Sequence, residues 1–150
     1  MKAIGQSASI KDFKDFNYIY IDKTEQIYSL LGQRRVFFSR PRRFGKSLVL
    51  DTIATLFEQG VEPYFKDTWI YDKWPQKTYP VLRLNFLDFG NDSLEKFTIK
   101  FNNYVCEFAK ELQLEHDVVG IDPAETLLKL CNALKDKKIV ILIDEYDLRL

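Results

Sequence analysis

The chain has 150 residues, 46% hydrophobic and 29% charged, a length suited to one core and a balance that excludes intrinsic disorder. Lysine plus arginine equals aspartate plus glutamate at 22 each, so no global field draws the chain to nucleic acid or to anionic lipid. No stretch approaches the roughly 20 apolar residues that span a bilayer, and the N-terminal MKAIGQSASIKDF lacks the apolar run of a secretory signal, so the expectation is a cytoplasmic chain with no membrane partner.

In chain order, Tyr18–Ile21 is followed by Asp22 and Glu25, a capping-box-like start to a short helix that Gly32 stops. Val36-Phe37-Phe38 reads as a short buried strand. Leu48, Val49, Ile53, Leu56 and Phe57 recur at helical spacing up to Gly60, which predicts a helix over 45–59 directly after that strand's loop. From Pro63 to Tyr79 the chain carries Tyr64, Phe65, Trp69, Tyr71 and Trp74 among prolines and charges. This is an irregular connection whose rings either fill a core or stack an adenine. Val81–Phe86 alternates enough for a second strand. Asp92 and Glu95 open a long helix with an apolar stripe of Leu94, Phe97, Phe101, Tyr104, Val105, Phe108 and Leu112. Asp122, Pro123 and Glu125 are N-cap, N1 and N3 of a helix reaching Leu134. Ile139–Ile143 is a strand apolar at every position, the pattern of parallel strands buried on both faces. No repeat or low-complexity linker interrupts the chain, which reads as one continuous unit. Cys106 and Cys131 fall in helical stretches among apolar neighbours and read as small buried hydrophobes in a reducing compartment.

Two motifs carry chemistry. Arg40-Pro41-Arg42-Arg43-Phe44-Gly45-Lys46-Ser47 fits the Walker A pattern G-x-x-x-x-G-K-S/T at its last three positions, with Arg40 where the first glycine belongs. Backbone N–H groups at a helix start point at an anion, Gly45 lets the backbone approach it, Lys46 adds a point charge, and the Ser47 hydroxyl is a Mg2+ ligand. Arg42, Arg43, Phe44 and Leu48 complete the nucleotide-binding set. Gly-Lys-Ser/Thr alone arises by chance in about one chain in ten of this length; the strand before it and the helix after it are what give it weight. The second motif is the apolar run ending in Asp144-Glu145, a Walker B pattern with the added glutamate. A parallel strand delivers both carboxylates at its C-terminal end, where open α/β sheets bind ligands. Asp144 holds Mg2+, and Glu145 orients the water that attacks the γ-phosphate.

The successions Tyr20-Ile21-Asp22-Lys23-Thr24, Phe38-Ser39-Arg40-Pro41-Arg42-Arg43-Phe44-Gly45-Lys46-Ser47 and Leu142-Ile143-Asp144-Glu145-Tyr146-Asp147 resemble the AAA-ATPase-like family of bacterial and archaeal proteins over nearly the whole chain. In that family a Y/V-V/I-D-K-T segment precedes a loop of S-R-P-R-R-F-G-K-S/T type, so the missing first glycine is the family's habit. The resemblance implies an α/β fold, the P-loop NTPase three-layer sandwich with a mostly parallel sheet. It also implies ATP as ligand with Mg2+, and often a nuclease-like PD-(D/E)XK region near the C-terminus through which DNA would be a partner. ATP over GTP rests on the resemblance alone. Family members continue D-E-Y-D-x-P where this chain has Asp147-Leu148-Arg149-Leu150. P-loop folds of this class also place a later strand, bearing the sensor residue, between the P-loop and Walker B strands. The expectation is therefore that 1–150 is the N-terminal part of a longer P-loop domain, running from Walker A to Walker B and incomplete at its C-terminus, with an oligomer not excluded.

Between Arg34 and Lys46 stand six basic residues and no acidic one, of which Arg40, Arg42 and Arg43 either attract phosphates or contact a nucleic-acid backbone. Asp22, Lys23 and Thr24 recur in the family, and the physical reading of Asp22 is a helix cap. His116 reads as a surface residue. Asp88 shares a sheet edge with the Walker B acids if the strands are parallel, either at the site or capping a loop. The leading reading is Mg-ATP binding with Lys46 on the phosphates, Ser47 and Asp144 on Mg2+, Glu145 on water, and hydrolysis in the complete protein. The opposed readings are a switch that binds ATP without turnover and a nucleic-acid-associated fragment acting through 34–46.

Overall fold

Apolar side chains gather in two places along this chain. The computed structural model describes residues 7, 9–33, 35–36, 45–89, 93–114 and 118–146, and packing divides the chain into the units Met1–Tyr79 and Pro80–Leu150. Each unit has its own buried cluster, where composition suggested a single core. The strand expected at 36–38 lies outside the described residues except for Val36, which is exposed; His116 and Asp147–Leu150 lie outside them as well.

The first unit holds α1 (Ile10–Asp15), α2 (Thr24–Leu31) and α3 (Lys46–Gln59). The pattern reading missed α1. Its six residues are too few to show a period, and it is held from outside: Asp51 Oδ2 on α3 accepts from the Ile10 N–H at 2.9 Å. The helix α3 ends where expected. Gly60 sits at φ 77°, ψ −157°, a region that is essentially glycine's alone, and its N–H donates to Leu56 O at 2.9 Å. Beyond it, 61–74 winds through turns whose side chains build the core: Phe65 and Ile70 are fully buried beside Ile10 and Leu56. A buried side chain of that size contributes about 1.5 to 3 kcal/mol. Tyr28 of α2 meets the Trp69 ring edge-on at 5.5 Å, and Phe57 of α3 meets Trp74 at 5.4 Å. The aromatics of 63–79 thus pack on one another and on the helices, which is the core-filling alternative.

The second unit runs β1 (Val81–Asn85), α4 (Leu94–Glu111), α5 (Pro123–Leu134), β2 (Val140–Asp144). The two strands pair in parallel, with Val81 opposite Val140 and Asn85 opposite Asp144, as a connection through two helices permits. Leu82 and Leu84 point into a core shared with Phe97, Phe101 and Val105 of α4 and Leu130 and Leu134 of α5. The expected stripe of α4 is buried at Phe97, Phe101 and Val105, but Leu94 and Tyr104 are exposed, because Leu94 begins the helix and Tyr104 lies at the stripe's edge. Ser93 caps α4, its hydroxyl accepting from the Lys96 N–H at 3.2 Å; Asp92 lies outside the described residues. At α5 the cap is as expected, with Asp122 Oδ1 accepting from the Glu125 N–H at 2.8 Å and Pro123 in the first turn. The strand β2 departs from its expectation of burial on both faces: none of its residues is fully buried, and Ile143 is 43% exposed. Among the described residues its one neighbour is β1. Cys131 is likewise exposed and Cys106 half-buried, because α5 turns the Cys131 side away from the core. No helix among the described residues is long and apolar enough to cross a membrane.

Candidate functional site

Helix α3 starts on Gly45, whose φ of 77° is left-handed. This backbone costs glycine little and other residues about 1 to 2 kcal/mol. The first turn of any α-helix leaves N–H groups without intrahelical partners. The N-cap is Gly45, which has no side chain to cap them, no acidic residue stands in the first turn, and among the described residues a Cβ built on Gly45 would meet nothing within 4 Å. The helix start therefore presents positive dipole, open space and two suitable side chains, the half-buried Lys46 and the exposed Ser47. Those are the features that accept an anion. Arg42, Arg43 and Phe44, expected in the same loop, lie outside the described residues; Gly45, Lys46, Ser47 and Leu48 are brought together on the first turn.

Beside this turn is a cavity of about 370 Å³. It is lined by Gly45, Leu48, Val49 and Thr52, spaced to share a helix face, and by Phe13, Ile19, Tyr20, Ile21 and Lys23. The Tyr20 hydroxyl is hydrogen-bonded to Thr52 and to the Lys23 N–H, and burial pushes its pKa up. The sequence reading missed this cavity, because 19–23 carries no pattern that distinguishes a wall from a strand.

The Asp22-Lys23-Thr24 segment is pinned on both sides of Lys23. Asp22 Oδ1 accepts from the Thr24 N–H at 2.8 Å and the Thr24 hydroxyl at 2.7 Å, while Oδ2 accepts from the Trp69 N–H at 2.6 Å. Thr24 Oγ1, fully buried, accepts from the Ile70 N–H at 3.2 Å. Partial burial opposes the Asp22 charge, yet the bonds from Thr24 and Trp69 prevail and hold its carboxyl below the usual aspartate value, with help from Lys14. Capping is thus what Asp22 does, in a form the spacing did not give: α2 has Lys23 at its N-cap position, and Asp22 reaches forward to Thr24 and across 47 residues to Trp69.

In the other unit, β2 ends on Asp144 and Glu145. Asp144 lies opposite Asn85 in the parallel register, and its carbonyl accepts from the Phe86 N–H at 3.1 Å. Asp144 Oδ1 accepts from the Glu145 N–H at 2.9 Å. Glu145 itself adopts φ 55°, a conformation a non-glycine residue holds only at some cost, of the kind that collects at working sites. Because the strands are parallel, Asp88 follows β1 at the same edge, in an exposed turn. The turn's acceptor is the Asn85 side chain, whose Oδ1 takes the Leu87 N–H at 3.1 Å. A larger depression of about 450 Å³, lined by Gln113, Leu114 and the 133–137 segment, lies where the chain enters β2. That is the wrong end of a parallel strand for ligand binding.

Of the hard oxygen donors expected for Mg2+, the Ser47 hydroxyl lies on α3 of the first unit and the Asp144 carboxylate on β2 of the second. Among the described residues there is no cluster of three or more metal-ligating side chains. Magnesium in triphosphate sites does not need one, since one or two protein oxygens, the phosphates and water complete its shell. A serine hydroxyl and an aspartate carboxylate are each, by their chemistry, hard oxygen donors of the kind that ion takes.

The family model described as Predicted AAA-ATPase matches residues 6–150, and the chain belongs to this AAA-ATPase-like family. A protein of Azotobacter chroococcum mcd 1, described as an uncharacterized protein in the vnfD 5' region, is 34% identical over 150 residues, covering 93% of this chain and 27% of that protein. This chain therefore spans about a quarter of that relative's length. No solved structure matches.

Proposed function

We propose that the chain binds Mg-ATP, with the triphosphate seated on the first turn of α3. The observation that carries this reading is the helix start itself: a left-handed glycine at the N-cap, no acidic residue in the first turn, then Lys46 and Ser47. Membership of a family described as Predicted AAA-ATPase supports it. The N–H groups of the first turn donate to phosphate oxygens and Lys46 neutralises the β- and γ-phosphates. Arg42, Arg43 and Phe44 precede them in the same loop of the sequence, and the two arginines add positive potential. Ser47 and Asp144 are the residues that would hold Mg2+, which when bound offsets charge on the phosphate oxygens. In the complete protein the proposed activity is ATP hydrolysis, with the Glu145 carboxylate orienting and deprotonating water, held by the backbone turn that follows Asp144.

Hydrogen exchange tests the carrying observation directly. Mg-ATP slows exchange of the Ser47 and Leu48 amides, and the Lys46→Ala variant abolishes that protection. Exchange at these amides that ignores saturating Mg-ATP contradicts the reading. For the chemical step, Glu145→Gln in the complete protein lowers single-turnover hydrolysis about 100-fold while leaving ATP bound; equal rates would make the protein a switch that binds without turnover.

A further inference from the structure

Helix α5 buries one side and leaves an apolar row on another. Leu130 and Leu134 enter the second unit's core, and Thr126, in line with them, is buried as well. Ala124, Leu128 and Cys131 are exposed, Leu128 at 60%, and Ile121, just before the N-cap, is exposed at 89%. These four follow one another at spacings of three, four and three, so they line up along one side of the helix, roughly 120° round from the buried row. Single exposed apolar residues need no explanation, but a row at this alternation of three and four is the seam along which helices pair. The 12 residues of α5 span about 18 Å, a length that one partner helix covers.

The charges along the row select the partner. Asp122 and Glu125 stand at its N-terminal end, while Lys135, Lys137 and Lys138 stand at its C-terminal end with the single acid Asp136 among them. Glu125 is engaged by Lys129 at 3.7 Å and by the Ile121 N–H, so the acid at the end of the row is the exposed Asp122. A second α5 laid antiparallel meets this pattern twice, acidic end on basic end, and sets the two helix dipoles head to tail; a parallel copy sets like charge on like. The face is therefore complementary to itself, which is the condition for an isologous contact. We propose that the chain forms a two-fold dimer through α5, with Leu128 nearest the axis, Ala124 of each copy beside Cys131 of the other, and Asp122 beside Lys135. Leu128 and Ile121, left in water by one copy, are covered by the second. Assembly stops at two, because an isologous contact closes on itself. One helix from each side buries less than the ~1,200 Å² of a standard interface, so the dimer is weak, with a Kd on the order of 100 µM. Every residue in the contact belongs to the second unit, and the proposal stands apart from the phosphate reading.

The test is sedimentation equilibrium of the 150-residue chain under reducing conditions, from about 10 µM to about 1 mM, beside a Leu128→Lys variant. Leu128 is 60% exposed, so the variant keeps its fold, which circular dichroism checks. Wild type passes from monomer to dimer across this range, and Leu128→Lys raises the Kd at least about tenfold by placing two ammonium groups at the axis. The antiparallel register is read separately by an Ala124→Cys variant oxidised with diamide. It is expected to form a disulfide-linked dimer at least about tenfold faster than wild type, because its new thiol lies beside Cys131 of the second copy, and adding Cys131→Ser removes that gain. A chain that stays monomeric at about 1 mM, a dimer that Leu128→Lys leaves intact, or an assembly larger than two overturns the proposal. Cross-linking of Ala124→Cys no faster than wild type, or unchanged by Cys131→Ser, overturns it as well.

Discussion

Replacing Asp22 with alanine removes an acceptor from three donors at once, and the structure gives the cost of each. The bond to the Thr24 N–H is a local helix cap, worth about 1 kcal/mol. The Thr24 hydroxyl is fully buried; it keeps the Ile70 N–H as donor but loses its own acceptor, which costs about another 1 to 1.5 kcal/mol. The Trp69 N–H is near solvent and recovers a water, so its loss is about 0.5 kcal/mol. Asp22 is exposed, solvent screens its charge, and the attraction of Lys14 adds little. Asp22→Ala is thus expected to destabilise the first unit by about 2 to 3 kcal/mol. Both tryptophans, Trp69 and Trp74, belong to that unit, so urea unfolding followed by tryptophan fluorescence reports it alone. The midpoint falls by about 1 to 2 M at unchanged slope. Asp22→Asn falls between, because one amide oxygen still serves Thr24 while its NH2 group faces the Trp69 N–H. A midpoint for Asp22→Ala within about 0.3 M of wild type refutes the clamp.

Because the folded Asp22 carboxyl is held below its unfolded value, its stabilisation is present above about pH 4 and lost as pH falls through the depressed folded value; the acid limb of fluorescence-monitored stability is flatter in Asp22→Ala than in wild type. Gly60→Ala places a Cβ into the Gln76 side chain, which bonds Val61 N–H at 2.8 Å and Gln59 O at 2.6 Å, at a backbone alanine avoids. Urea unfolding should show a loss of about 2 kcal/mol or more. Asn102→Ala strips the Thr126 hydroxyl of its 2.6 Å acceptor and the Gly120 carbonyl of its 3.1 Å donor, and circular dichroism during denaturation should register about 2 kcal/mol lost from the second unit. The same change leaves the tryptophan-monitored midpoint of the first unit where it was.

The elements that read correctly from sequence are those specified locally. Asp122, Pro123 and Glu125 fix the start of α5 within four residues, and Gly60 fixes the end of α3 because its own backbone angles demand it. What stayed hidden depends on contacts between distant residues. The Asp22 clamp joins positions 47 apart, so a capping-box spacing named the right residue with the wrong partner. Helix α1 is held by Asp51 from another helix and is too short to show a period. The apolar run Ile139–Ile143 implied burial on both faces, yet a run of that kind records what the strand can bury and not which neighbours cover it. At the candidate site, the start of α3 on Gly45, with Lys46 and Ser47 in its first turn, was legible because a glycine followed by helical periodicity is a local signal. The cavity beside them was not, since its walls come from α3 and from a segment more than twenty residues upstream.

The most direct test of the central claim is calorimetric titration of this chain with Mg-ATP, wild type beside Lys46→Ala. The account predicts one site per chain and binding that disappears in the variant, with both proteins equally folded by circular dichroism. A folded wild type that releases no heat and takes up no nucleotide, or a variant that binds as tightly as wild type, contradicts it.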